Sequence, residues 1–363
     1  MQNYSFIQDA LKIARERGDR LGEAQGLRAL GEAYLGAGQL KQALETSNQA
    51  LLMAQQIGYK SGVGDILDIL GRIHWAKGES AKASQYFRWA LEENRRIGDV
   101  GKQAHNLAAI ALGLARSGDL VEAWNSAQDS LNLYVKAGCK ACQIDVLHTM
   151  AGICMSRGDW AKALDIYERG LGIARSLGYR QVYSEFLGNL AMLHEKNGDL
   201  SKARTLLREA YAIALEQDNS VSVITSLVNL GDVARKAKDH EHARECFERA
   251  LDMSRTLQYK SGESASLRHL GLLQKDQRDF EPALANLEKA LKLDREIGDA
   301  LYEIADIANI GIVLGEKGQA CDAVGYLDRA KRMGTERNIQ HYEETIVTRL
   351  AEFRVKCSRE KGT

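Results

Sequence analysis

Apolar residues recur along this chain in a three-and-four rhythm, and the rhythm itself returns every forty residues from Asp19 to Asn338. Leu27, Leu67, Leu107, Leu147, Leu187, Leu227, Leu267 and Ile307 stand in step, followed three residues on by Leu30, Leu70, Ile110, Met150, Leu190, Leu230, Leu270 and Ile310. A small residue comes next each time (Gly31, Gly71, Ala111, Ala151, Ala191, Gly231, Gly271, Gly311), and alanine returns at Ala43, Ala83, Ala123, Ala163, Ala203, Ala243, Ala283 and Ala323. A fixed period in the range of about 20 to 50 residues marks an array in which each unit buries its apolar face against its neighbours. Function is therefore to be sought on a surface.

Within one unit the spacing is helical. Leu27, Leu30, Gly31 and Tyr34 mark a first helix, and after Gly38 the rhythm resumes at Leu40, Ala43, Leu44, Ala50, Leu51 and Ala54. Each unit reads as a helical hairpin. Gly38, Gly78, Gly118, Gly158, Gly198 and Gly318 break the hairpins, and Gly18, Gly58, Gly98, Gly138, Gly178 and Gly298 separate the units, as expected where a helix ends in a left-handed residue. Lys238, Gln258 and Arg278 replace glycine in the sixth and seventh units. The single proline, Pro282, falls in the first turn of a second helix, where a missing N–H costs nothing.

These residues resemble the tetratricopeptide repeat pattern, in which a large residue, Leu, Gly or Ala and Tyr mark the first helix, and Ala, an apolar residue and Ala the second. One unit offers Leu27, Leu30, Gly31, Tyr34, Ala43 and Ala50, and another Leu187, Leu190, Ala191, His194, Ala203, Leu207 and Ala210. The repeat is forty residues instead of the usual thirty-four, and the closing proline is absent. In this it is similar to kinesin light chains, Pins-type spindle-orientation adaptors, bacterial regulators such as the maltose-regulon activator, and repeat arms joined to caspase-like domains. The resemblance implies an all-α, right-handed solenoid of antiparallel hairpins. A half repeat is expected over 1–18, eight repeats over 19–338, and a capping helix and tail over 339–363.

Composition narrows the function. Lys plus Arg equal Asp plus Glu at 49 each, so no global field attracts a polyanion, and nucleic acid is not an expected partner. There is no apolar run of about eighteen residues and no signal-peptide pattern after Met1, so no membrane is expected and the expected location is cytoplasmic. Cys139 and Cys142 form a Cys-Lys-Ala-Cys stretch but lack a second ligand pair for zinc. They read as semi-exposed thiols, Cys154 as core, and Cys246, Cys321 and Cys357 as scattered singly, together suggesting a reducing compartment. His74 and His194 take the Tyr34 position, and His240 and His242 sit at a hairpin turn without a nucleophile. No phosphate loop or catalytic constellation is evident. The chain is expected to be non-enzymatic and to carry no cofactor or metal.

Opposite the packed stripe, at about 100° per residue, lie Gln25, Ala29, Glu32 and Gly36 and their equivalents. The resemblance places these positions on the inner wall where ligands are contacted. The wall carries Ile69, Arg72, Asn189, Asn229, His269, Asn309 and Ile312, with Ala305 also on it. Asn189, Asn229, His269 and Asn309 occupy one position in consecutive units. An amide both donates and accepts, so such a ladder could hold an extended main chain whatever its side chains. Arg116, Lys196 and Lys236 share another position and could meet a carboxylate, or could pair with wall acids such as Asp232 and Glu316. The basic set of the chaperone-binding carboxylate clamp is incomplete.

The expected peptide-binding residues are thus Asn189, Asn229, Asn309, His269, Lys196, Lys236, Arg116 and Arg72. At the ends, Tyr4–Arg17 matches a lone second helix whose Phe6, Ile7 and Leu11 promise an apolar edge. His341–Cys357 matches a lone first helix with Val347, Leu350 and Ala351 in register. The reading is a scaffold or adaptor that holds a peptide or extended segment of a protein partner in its groove. The alternative is a regulatory arm of a signalling ATPase or caspase-like protease that docks a folded partner through its ends. Self-association or docking through the N-terminal half repeat is a further expectation.

Overall fold

The computed structural model describes residues 4–337, 339 and 343–361. The chain divides into two compact units, Met1–Tyr179 and Arg180–Thr363. The N-terminal unit contains α1 (Ser5–Glu16), α2 (Arg20–Gly36), α3 (Leu40–Gln56), α4 (Lys60–Ala76), α5 (Ser80–Ile97), α6 (Val100–Ser117), α7 (Leu120–Lys136), α8 (Lys140–Ser156) and α9 (Trp160–Leu177). The C-terminal unit contains α10 (Arg180–Lys196), α11 (Leu200–Glu216), α12 (Ser220–Lys236), α13 (His240–Thr256), α14 (Lys260–Asp276), α15 (Phe280–Ile297), α16 (Ala300–Lys317), α17 (Ala320–Glu336) and α18 (Glu343–Lys361). Every secondary-structure element among the described residues is helical. The architecture is an all-α solenoid of antiparallel hairpins.

Several helices start where a short polar side chain takes up an orphan N–H. Asp119 accepts from Glu122 N at 3.1 Å and Asp199 from Lys202 N at 3.0 Å, each satisfying one first-turn donor. Hairpins close because the small residue of the first helix lets the second come near. A Cβ on Gly71 would stand 2.6 Å from the Phe87 ring, and one on Gly231 would stand 2.5 Å from Phe247. The aromatic fills the room that the glycine leaves.

Packing between hairpins uses two further positions on the first helix. Ile66, Val146 and Phe186 hold one, and Ile73, Ile153, Leu193, Val233, Leu273 and Val313 the other, all buried. First helices of successive hairpins also touch directly, α2 with α4, α6 with α8, α12 with α14 and α14 with α16. Contact through this side buries Ile69, Ala305 and Ile312, which the helical wheel had assigned to an open wall.

The ends correct two expectations. In α1, Leu11 is buried, and Tyr4 and Ile7 pack on the same core cluster as Leu27 and Leu30. Of the promised apolar edge only Phe6 stays out, 83% exposed. In α18 the inward face is Ile346, Leu350 and Phe353, whereas Val347 and Ala351 are exposed. Val347 and Ala351 occupy the stripe that the second helix covers in the preceding hairpins, and among the described residues no helix covers it here. Phe353 instead lies over Gly315 of the preceding hairpin. Asn338 and His341 lie outside the described residues.

The cysteines are also corrected. Cys139 is bonded to Cys142 and Cys321 to Cys357, leaving Cys154 and Cys246 as the free thiols. Cys321 and Cys357 are 36 positions apart in sequence and meet because α18 folds back beside α17. Four of the six cysteines therefore no longer support a reducing compartment.

Candidate functional site

In the C-terminal unit the first helices α10, α12 and α14 border a cavity of about 640 Å³. Asn189 and Lys196 reach it from α10, Asn229 and Lys236 from α12, and His269 from α14. The forty-residue register is what brings them together, because each helix presents the same face one step further along. Asn229 is exposed and Asn189 half-buried. Among the described residues neither amide makes a side-chain hydrogen bond inside the chain. Asn309, one repeat further on, is half-buried on α16 and does not border this cavity.

The charges around these amides are largely matched within the fold. Asp232 sits at the centre, with Arg235 Nη2 at 2.9 Å, Lys236 Nζ at 2.8 Å and His269 Nδ1 at 3.4 Å. The last is within ion-pair range without hydrogen-bond geometry. Lys236 also donates to Glu195, and Arg235 to Asp276. Burial opposes ionisation of Asp232, yet His269, Arg235 and Lys236 outweigh it and hold the carboxyl below the usual range. Burial likewise disfavours the charged Lys236, and Asp232 and Glu195 overcome it, raising the ammonium above its ordinary value. Lys236 is thus a partner of neighbouring acids, the second of the two roles open to it from sequence.

The remaining two expected residues lie in the N-terminal unit. Arg72 borders a cleft of about 270 Å³ between α2, α4 and α6, where its Nη1 donates to Glu32 Oε1 at 3.1 Å. His105 faces the same cleft, its Nε2 3.3 Å from Asp68 Oδ1. The hydrogen bond to Asp68 raises its basicity against the opposing effect of burial. Arg116 is elsewhere, with its guanidinium 4.7 Å from the centre of the Trp75 ring, a cation–π stack. Of the singled-out histidines, His74 is buried, 2.7 Å from Glu79 Oε2 and stacked on Tyr86.

Sequence reasoning missed Arg235 and the polar groups packed between hairpins. Asn106 and Asp306 hold the same repeat position as the apolar Ile66 and Val146, so hydrophobic periodicity passes over them. Among the described residues no group of three or more His, Cys, Asp or Glu is arranged to hold a metal ion. Nor is any described helix long and apolar enough to cross a membrane.

Hairpins of this geometry define a helical-repeat protein whose first helices carry the accessible polar groups. The tetratricopeptide repeat family model matches residues 28–96, 142–216, 183–256 and 222–296, and the chain belongs to that family. No curated protein matches the sequence. Among solved structures it is similar to the apo form of the quorum sensor NprR from B. thuringiensis, at 13% identity over 91% of this chain and 97% of that one, with a TM-score of 0.65. The Rap conjugation regulator of plasmid pLS20, solved with the Phr* peptide, matches at 15% identity over 88% and 97%, with a TM-score of 0.58. A signal-transduction ATPase with a tetratricopeptide repeat sensor, from Pyrococcus horikoshii, matches at 14% identity over 91% of this chain and 50% of that one, with a TM-score of 0.62. At these identities the likeness is one of fold.

Proposed function

We propose that this protein is a non-enzymatic interaction module that binds an extended peptide segment of a protein partner along the first helices of its C-terminal unit. The observation that carries the reading is the pair Asn189 and Asn229, unpartnered amides in register on one cavity, set among charges already matched by Arg235, Lys236, Asp232 and Glu195. An amide ladder beside neutralised charge suits main-chain N–H and C=O groups better than it suits an acidic side chain. Asn309 and His269 would extend the ladder towards α16, and Lys196 would border its start. Arg72 and Arg116, in the other unit, are not required. The fold shared with the Rap regulator solved with its peptide is consistent with this use. The location proposed remains cytoplasmic.

The test is selection of linear peptides from a random display library on the full chain, followed by calorimetry. Each of Asn189→Ala and Asn229→Ala should weaken a selected peptide by about 1 kcal/mol, roughly fivefold, and N-methylation of the contacted peptide bonds should reproduce the loss. Undiminished binding by the double variant would remove the ladder from the function.

A further inference from the structure

The Cys139–Cys142 bond sits at the helix N-cap position of its repeat, which Tyr59 and Tyr259 occupy without a side-chain cap and four other repeats fill with a side-chain oxygen. The residues forty apart from Cys139 include Asp19, Asp99, Asn219 and Asp299, whose side-chain oxygens accept the N–H of the third residue on, at 2.9, 3.0, 3.1 and 3.2 Å respectively. Three of those four caps are carboxylates. In α8 the acceptor is instead Cys139 Sγ, which receives Cys142 N–H at 3.3 Å. A bonded sulfur is a poor acceptor. A thiolate at the same spot is an anion at a helix N-terminus, the setting that lowers a cysteine's proton affinity and favours its reduced form. Cys139 and Cys142 are both half-buried, and Lys136 and Lys140 beside them are exposed.

We propose that Cys139 and Cys142 form a redox-active couple that exchanges with thiols of the glutathione class, independently of any peptide bound to the C-terminal unit. A glutathione thiolate attacks Cys142 Sγ, the S–S bond breaks, and its electron pair leaves on Cys139 as the capping thiolate. A second glutathione thiolate then attacks the glutathione sulfur of the mixed disulfide, releasing glutathione disulfide and leaving Cys142 to take up a proton. Two thiols are oxidised and one disulfide reduced, and the proton not taken by Cys139 goes to solvent. The Cys321–Cys357 bond is the internal reference. It ties α17 to α18, and no cap is gained when it opens.

The full chain is equilibrated in glutathione redox buffers, alkylated and read by peptide mass spectrometry. The Cys139–Cys142 pair should be half-reduced at a ratio of squared glutathione to glutathione disulfide at least about tenfold lower than Cys321–Cys357 requires. In Cys142→Ser, where the residue-142 N–H remains, Cys139 should reach half-maximal alkylation rate below about pH 8.5, the ordinary thiol midpoint. A pair as hard to reduce as Cys321–Cys357, or a Cys139 midpoint at or above that of an ordinary thiol, would overturn the proposal.

Discussion

The two units place polar groups at the same three repeat positions and solve the same problem differently. In the N-terminal unit these positions hold Asp68, Asn94 and Asn106, and five repeats later they hold Arg268, Asp294 and Asp306. Asn94 donates to Asn106 at 2.8 Å, and Asn106 donates to Asp68 at 2.9 Å. Asp68 then reaches the cleft and His105. In the C-terminal unit Arg268 Nε donates to Asp306 at 2.5 Å, and its Nη2 donates to Asp294 and to Ser264. The guanidinium lies 4.5 Å from the centre of the Tyr302 ring, and all three charged groups are buried. The seam holds these polar groups in hydrogen-bonded chains, although Asn94 Oδ1 is buried without a partner. One version relays neutral amides outward to an acid at a cleft; the other holds one cation between two carboxylates.

The largest difference should appear on deleting the hub. Arg268→Met keeps the volume but leaves Asp294 and Asp306 buried without a cation, and should cost about 3 to 5 kcal/mol. Because repeat arrays can open piecewise, the readout is hydrogen exchange across α14, α15 and α16 alongside denaturant unfolding. Replacing all three residues with Met, Leu and Leu should recover most of the loss, as apolar substitutes for a buried ionic cluster often do. If Arg268→Met were as mild as an amide deletion in the other unit, the cluster would not be the closed ionic core described.

Protonation separates the units next. Burial, with Asp294 close by, pushes the Asp306 carboxyl up to about 7 despite the attraction of Arg268. Its folded value lies above its unfolded one, so the folded state holds the extra proton. Stability should therefore fall as pH rises from about 4 towards 7, then level off. Asp306→Asn removes that slope and should gain about 1 to 3 kcal/mol over the wild type at pH 8, with little gain near pH 4. A pH-independent difference between the two proteins would contradict a proton held on Asp306. In the N-terminal unit the raised value belongs to His105, whose contribution is present below its unfolded value and lost as pH rises through the folded one. His105 is half-exposed, so that effect should be small.

Removing the relay amide in the N-terminal unit should come third. Asn106→Ala strands Asn94 Nδ2 and takes one donor from Asp68, and should cost about 1 to 2 kcal/mol. The cleft offers water a route to these groups, which is why the loss should stay below that of Arg268→Met. A loss of equal size would mean that the amide seam is as closed to water as the ionic one.

Why one half of this comparison was readable beforehand is physical. Positions such as Leu27, Leu30, Gly31 and Ala43 are buried within a hairpin, and local contacts leave a helical period in the sequence. The neighbouring seam joins residues 26 apart across one hairpin to residues of the next, as Arg268 on α14 meets Asp294 on α15 and Asp306 on α16. Polar and apolar side chains alternate there from unit to unit, so no period betrays it. The cavity followed the same rule. Asn189, Asn229 and His269 align by register, and Asp232 was open to Lys236 as a wall acid, whereas Glu195 comes within its reach only through the packing of α10 beside α12. The disulfide between Cys321 and Cys357 had no local signal.

The smallest predicted difference lies in the turns. In the N-terminal unit every left-handed turn residue is glycine, from Gly18 to Gly178, whereas in the C-terminal unit Asp218, Lys238, Gln258 and Arg278 adopt φ of 52°, 63°, 53° and 61° in the same role. The turn geometry has been kept although the residue best suited to it has not. A Cβ in this conformation costs about 1 to 2 kcal/mol, part of which glycine would give back through the greater freedom of its unfolded chain, about 0.5 to 1 kcal/mol. Lys238→Gly and Arg278→Gly should therefore each stabilise by about 0.5 to 1 kcal/mol, and Gly118→Lys in the other unit should cost a similar amount. Thermal unfolding of the three variants measures both directions. Stabilisation without a matching loss at Gly118 would indicate that the non-glycine turns carry a specific strain of their own. Opposite and equal changes would mean that the two sets of turns are the same structure and differ only in the side chain that holds it.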